Sequence, residues 1–151
     1  IIALACEDGW IEGNFESCYK FETKSLVSWY DARKACQALG GELAALEDSH
    51  EIYWMRGYRS GHAALRGKAW TAGFQDKDGV WNWQYTGEAA PIKDFNWARE
   101  QPDGGGEQGR YAKGSGCLVL FGERSNPFTS YHFDDDNCIS KHGYICEKYV
   151  N

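Results

Sequence analysis

The sequence predicts an α+β fold in which two capped helices come early and short strands come late. Three observations carry this. Apolar residues recur at helical spacing through Trp29, Ala32, Ala35, Cys36 and Leu39, between a capping Ser28 and the pair Gly40-Gly41. Two apolar runs, residues 70–74 and 80–83, flank an Asp78-Gly79 turn of the kind that closes hairpins. Six cysteines stand without a Cys-x-x-Cys pair, which points to disulfides and an oxidising compartment, not to zinc. The 151 residues suit one domain, 1–151, with room for a real core.

Taken in order, residues 6–24 read as a short hairpin whose apolar content is Trp10, Tyr19 and Phe21. The first helix follows, with Asp31 placed three residues after Ser28 as in a capping box. Leu43, Ala45 and Leu46 then alternate toward a strand. Asp48 or Ser49 opens a second helix, with Glu51 completing a box from Asp48 and Ile52, Met55, Arg56 and Arg59 marking its course. Residues 57–68 read as a helix end and a surface loop. Residues 70–74 form a strand that returns through Val80, Trp81 and Trp83. Residues 87–116 are rich in glycine and irregular, and long irregular segments in compact domains are usually functional or disordered. Residues 117–121 form an apolar strand, Ser125-Asn126-Pro127 a turn, Phe133 opens an acidic loop, and residues 144–147 close the fold as a strand.

Composition removes several classes of function. Acidic residues number 22 against 16 basic, for a net charge of −6, and no basic patch invites nucleic acid. No run reaches the length of a membrane span, and the apolar start is expected for a mature secreted chain. The four histidines, His50, His62, His132 and His142, lack His-x-x-x-His spacing, and Ser115 and Ser130 lack a nucleophile-elbow context. An enzyme is therefore not expected.

What remains is an oxygen-rich constellation. Gln101-Pro102-Asp103 and Asp134-Asp135-Asp136 offer amide and carboxylate oxygens of the sort that hard cations such as Ca²⁺ take. An X-Pro bond can be cis at modest cost, which would turn its flanking side chains together. By itself a Gln-Pro-Asp is a turn and a triple Asp is a solvated run.

Read together with residues 28–46, Trp70-Thr71-Ala72-Gly73-Phe74, Trp81-Asn82-Trp83 and Tyr144-Ile145-Cys146-Glu147, the constellation resembles the C-type lectin domain family. The likeness covers roughly Cys6 to Cys146 and is to the galactose-type, Gln-Pro-Asp class of secreted, invertebrate-like lectins. The resemblance implies two helices with small antiparallel sheets, a long calcium- and sugar-binding loop, and the disulfides Cys6–Cys18, Cys36–Cys146 and Cys117–Cys138. It implies Ca²⁺ held by Gln101, Asp103, Asp134 and Asp135, with Asp136 merely solvated. Ser115 stands where the family has Glu, and Glu107 is the substitute, ahead of Glu100. Glycines 104–106 stand where a Trp usually stacks on the sugar, which leaves Tyr111, Tyr131, His132 or Phe133 for that role. The sugar contacts expected are Gln101, Asp103, Glu107, Asp134, Tyr131 and His132, while Trp70, Trp81 and Trp83 are expected in the core. The implied ligand is a glycan bearing galactose or N-acetylgalactosamine. A homo-oligomer, a dimer, is expected because linked sites gain avidity. The competing expectation is a lectin-like domain that has lost sugar binding and recognises protein, mineral or ice.

Overall fold

A hairpin of β1 (Ile11–Glu12) and β2 (Ser17–Val27) opens the chain in the computed structural model, which describes residues 5–13, 16–65, 67–94, 97, 101–104, 110–121 and 132–150. Helix α1 (Trp29–Ala38) starts where expected, because the Ser28 side chain accepts from the Asp31 N–H. β3 is only Glu42–Leu43, and the alternation expected beyond it is absent. Leu43, Ala44, Ala45 and Leu46 are all buried, and Ala44 is held by backbone on two sides, its N–H donating to the Ile145 carbonyl and its carbonyl accepting from the Ala72 N–H, both at 2.8 Å. Helix α2 (Ser49–Ser60) is capped by Asp48, which accepts from the Glu51 N–H at 2.9 Å. The expected box is altered: the Glu51 carboxylate accepts from the Glu47 N–H and from the Tyr19 hydroxyl.

The remaining strands are β4 (Ala69–Gln75), β5 (Trp81–Tyr85), β6 (Glu88–Pro91), β7 (Gly116–Phe121), β8 (His132–Asn137) and β9 (His142–Tyr149). The sheet path runs β1-β2-β9-β4-β5-β6, with β3 on β9 and the β7–β8 pair branching from β4. The β4–β9 pairing is parallel and the other strand pairings are antiparallel. The turn between β4 and β5 uses Gly79 at φ 84, the left-handed conformation that glycine adopts at no steric cost.

Two expectations for the later half are corrected. Residues 87–116 are not irregular throughout, because β6 pairs with β5 through Trp83↔Ala90 and Gln84↔Ala89. The acidic run is not a loop. It is strand β8, anchored by the fully buried Phe133 and held to β7 through Leu118↔Asp135 and Val119↔Asp134. The turn expected at Ser125-Asn126-Pro127 lies outside the described residues.

The core joins both helices to the sheet through Trp29, Leu46, Met55, Trp70, Leu118, Leu120, Phe133 and Ile145. Trp70, Trp81 and Trp83 lie in it, as expected. The three disulfides form with the expected pairing, Cys6–Cys18, Cys36–Cys146 and Cys117–Cys138. Arg59, expected on the course of α2, is buried and donates to the carbonyls of Leu65, Gly67 and Leu120, fixing the segment that leads into β4. Among the described residues no helix is long and apolar enough to cross a membrane.

Candidate functional site

Strand β8 holds the acidic residues in an extended backbone because it pairs along its length with β7. Phe133 packs edge-on against Trp83 and Trp97, with ring centroids 5.8 and 6.5 Å away, and so fixes the strand's inward face. Trp97 also makes a parallel bridge to Phe133 and an edge contact with Trp81. The start of the long segment is thereby seated beside the acidic strand. Phe133 is completely buried, which removes it as a stacking residue.

The Gln101-Pro102 bond is cis. Directly after it, the Asp103 N–H donates to Asp135 Oδ1 at 3.0 Å and the Gly104 N–H to Asp135 Oδ2 at 2.9 Å. The Tyr111 hydroxyl also donates to Asp135 Oδ2, and the Tyr111 N–H to the Gly104 carbonyl at 3.1 Å. Gly116 makes room for this: a Cβ there would stand 2.7 Å from the Tyr111 ring. Asp135, 3% exposed, is thus the hub that ties residues 101–104 and 111 to β8. Burial pushes the Tyr111 hydroxyl above its ordinary range, and the bond and charge of Asp135 add to this.

Carboxylate oxygens of Asp103, Asp134 and Asp135 lie within 4.8 Å of one another. Asp134 meets Lys68, with Nζ 3.5 Å from Oδ2. Burial raises the Asp134 carboxyl above the ordinary range, against the pull of the Lys68 ammonium and with the push of Asp135. The Gln101 Oε1 atom is buried without a hydrogen-bond partner among the described residues. Native proteins rarely leave such an acceptor orphaned, and a bound cation is one explanation.

This donor set fits Ca²⁺, which takes roughly six to eight oxygens from carboxylates, carbonyls and water. Asp103, Asp134, Asp135 and Gln101 would hold it, and a bound ion would offer open positions to ligand hydroxyls.

The Asp136 expectation is corrected. It is not solvated but 2% exposed, accepting from the Asn137 N–H at 2.8 Å and the Ser140 hydroxyl at 3.2 Å, with His142 Nε2 at 2.7 Å. Burial alone would raise its carboxyl; the His142 and Asn137 hydrogen bonds outweigh that and hold it below the ordinary range. His142 in turn lies edge-on to Trp70 at 4.8 Å. Asp136 therefore braces the turn from β8 to β9.

The structure brings Gln101, Asp103, Asp134 and Asp135 into one region around residues 101–104 and β8, which His132 opens, half-buried. Glu107, Glu100 and Tyr131 lie outside the described residues. Sequence reasoning missed Lys68, Trp97 and the Tyr111 hydroxyl as partners of this region. The Gly116-Cys117 pair was the one signal for Tyr111, since a glycine opposite an aromatic ring marks a close approach.

The chain matches the model of the Lectin C-type domain over residues 25–148. It belongs to the C-type lectin domain family. It is 29% identical over 147 residues to the C-type mannose receptor 2 of Mus musculus, a match that covers 97% of this chain and 9% of the receptor. The chain thus spans about a tenth of the length of that relative. A solved structure described as an SPL-1–GlcNAc complex is 25% identical with a TM-score of 0.73, covering 95% of this chain and 94% of that one. The calcium-independent C-type lectin SPL-2 of Saxidomus purpuratus has the same fold, at 23% identity and a TM-score of 0.72, over 95% and 93% of the two chains.

Proposed function

We propose that the region around Gln101, Asp103, Asp134 and Asp135 is a calcium-dependent sugar site of the galactose type. The observation that carries this is the cluster of three carboxylates at Asp103, Asp134 and Asp135, with the buried Gln101 Oε1, two residues before Asp103, without a hydrogen-bond partner among the described residues. An amide on one side and ionised carboxylates on the other give a vicinal pair of hydroxyls distinct partners. Each hydroxyl places a lone pair on the ion, donates its proton to a carboxylate and accepts from a nearby donor. Gln101 supplies both a donor and an acceptor; Asp103 only accepts. Galactose or N-acetylgalactosamine is the ligand class that the Gln-Pro-Asp order implies through the resemblance. The SPL-1 complex with GlcNAc, a relative at 25% identity, supports a sugar as the ligand. The role is binding, in a secreted chain, without catalysis.

Ca²⁺ and sugar share the ion, so each strengthens the other's binding. Calorimetry of the wild type and Asp135→Ala with galactose, with and without Ca²⁺, tests the reading. Wild type binds only with Ca²⁺, and Asp135→Ala loses binding in both conditions. Equal galactose affinity in all four titrations would sink the assignment.

A second reading rests on Asp135 itself. Its carboxylate accepts three hydrogen bonds within the protein and Asp134 is paired with Lys68, so the region holds together without an ion. On that reading the domain recognises its ligand without Ca²⁺. Galactose binding that survives a chelator, in the same four titrations, is its signature.

A further inference from the structure

Lys68 sits immediately before β4, and the backbone frames its ammonium. Ala69 pairs with Leu120 of β7, and Val119 pairs with Asp134 of β8, so the Lys68 stem crosses β7 toward the acidic run. Its Nζ stands 3.5 Å from Asp134 Oδ2 and 5.6 Å from the centroid of the Phe121 ring. The Lys68 side chain is 27% exposed and the Asp134 side chain 15%, so this pair faces the surface without being fully solvated.

We infer that Lys68 is a specificity-determining residue of the sugar site, supplying the hydrogen-bond donor that Asp134 cannot, and that it competes with the cation for Asp134. This rests on the calcium-dependent reading proposed above. An ionised aspartate accepts hydrogen bonds and donates none. A ligand hydroxyl whose oxygen gives one lone pair to the ion and whose proton goes to a carboxylate still has a lone pair to satisfy. On the Gln101 side the amide N–H can meet it. On the Asp134 side the structure places the Lys68 ammonium, with three donors on a flexible stem. Without an ion this ammonium offsets part of the charge of three clustered carboxylates. A divalent cation takes over the charge of Asp134, which weakens the ammonium's hold and frees it to turn to the hydroxyl. The ligand class that results is a neutral sugar presenting a vicinal diol, with one hydroxyl read by Gln101 and the other by Lys68.

Two opposite effects follow from removing the ammonium. Lys68→Met keeps an apolar stem against Phe121 but deletes a positive charge beside a divalent site, so Ca²⁺ alone binds about tenfold more tightly. The same variant leaves a ligand hydroxyl short of a donor, so galactose at saturating Ca²⁺ binds about tenfold more weakly. Lys68→Arg keeps charge and donors and stays within about threefold of wild type in both titrations. Calorimetry with CaCl₂ alone, then with galactose at saturating CaCl₂, reads both effects; thermal melts accompany them, and Lys68→Leu, which likewise carries no donor, replaces Lys68→Met if the latter melts early. A merely structural lysine would weaken both titrations together, and that outcome overturns the inference. So does a Lys68→Met protein that matches wild type in both. Wild-type protein that takes up no Ca²⁺ overturns the calcium reading of the site and this inference with it, whereas a wild type that binds both ligands while Lys68→Met is silent overturns the inference alone.

Discussion

At the residue scale, the most consequential charges outside the loop site are two buried carboxyls, Glu51 of α2 and Glu147 of β9. Glu147 accepts from the Ala45 N–H at 3.1 Å and from the Ser17 hydroxyl at 2.7 Å, and the Glu51 carboxyl lies close enough to act on it electrostatically. Burial raises both above the ordinary carboxylate value of 4.5, and for Glu147 the nearby Glu51 charge adds to the shift. Two carboxylates this close cannot both ionise cheaply, so the folded pair keeps a proton that the unfolded chain releases. The sign of the linkage follows. A folded pKa above the unfolded one contributes stability that is complete below the unfolded value and fades as pH rises through the folded value. Melting temperature of the wild type is therefore expected to fall as pH rises above the ordinary carboxylate value, with Glu147→Gln much flatter over the same rise. Thermal melts across the range check this, and parallel profiles for the two proteins would refute it. None of this was legible in the sequence, where Glu51 and Glu147 are 96 positions apart and look like any helix cap and strand end.

At the element scale, α2 shows which parts of a sequence signature transfer to structure. Asp48 caps the helix as its position suggests, since a side-chain acceptor at the cap is a local matter of a few residues. Glu51 does not return to Asp48, because the Tyr19 hydroxyl, arriving from β2, competes for its carboxylate. Local chemistry is readable in the sequence; a partner delivered by another element is not. The same division runs through the loop site. Gln101, Asp103, Asp134 and Asp135 announce themselves by residue type and order, whereas Lys68 and Trp97 join them only through strand pairing. Strand β8 was misread as a loop because three consecutive aspartates have low β-propensity, and only pairing to β7 and the anchor of Phe133 override it. β6 was missed for a similar reason, as Glu88-Ala89-Ala90-Pro91 has no strand pattern and is extended because β5 presents an edge. The cap gives this scale its prediction. Asp48→Ala removes the acceptor for the Glu51 N–H and costs about 1 kcal/mol, a drop in melting temperature of about 2–4 °C for a chain of this size. Asp48→Asn keeps the acceptor and most of the stability. Calorimetric melts of the pair distinguish the cap from the charge, and equal losses in both variants would assign the effect to charge alone.

At the scale of the whole molecule, the disulfides divide the work of stability from that of the site. Cys36–Cys146 ties α1 to β9 across 110 positions, with both sulfurs buried in the core. Cys117–Cys138 spans 21 positions and joins the start of β7 to the end of β8. Chain-entropy reasoning makes the longer closure worth more, by roughly 1.5 kcal/mol from loop length alone. The shorter bridge is nearer the chemistry. Cys117 pairs in register with Asp136, and the Cys138 N–H donates to the Ser115 carbonyl at 3.0 Å, so this bridge holds the strand that carries Asp134 and Asp135 against the segment bearing Tyr111. The two bridges should therefore fail in different ways. Cys36→Ala with Cys146→Ala is expected to lower the urea midpoint more, while the surviving folded protein keeps the Ca²⁺ binding proposed for the site. Cys117→Ala with Cys138→Ala is expected to lose less stability but to weaken Ca²⁺ binding several-fold, because β7–β8 pairing alone leaves the acidic strand free to shift. Urea titration followed by Ca²⁺ calorimetry on each double variant reads both axes. Should the Cys36–Cys146 variant lose Ca²⁺ affinity while the Cys117–Cys138 variant keeps it, the site would depend on the global frame and not on the local clamp.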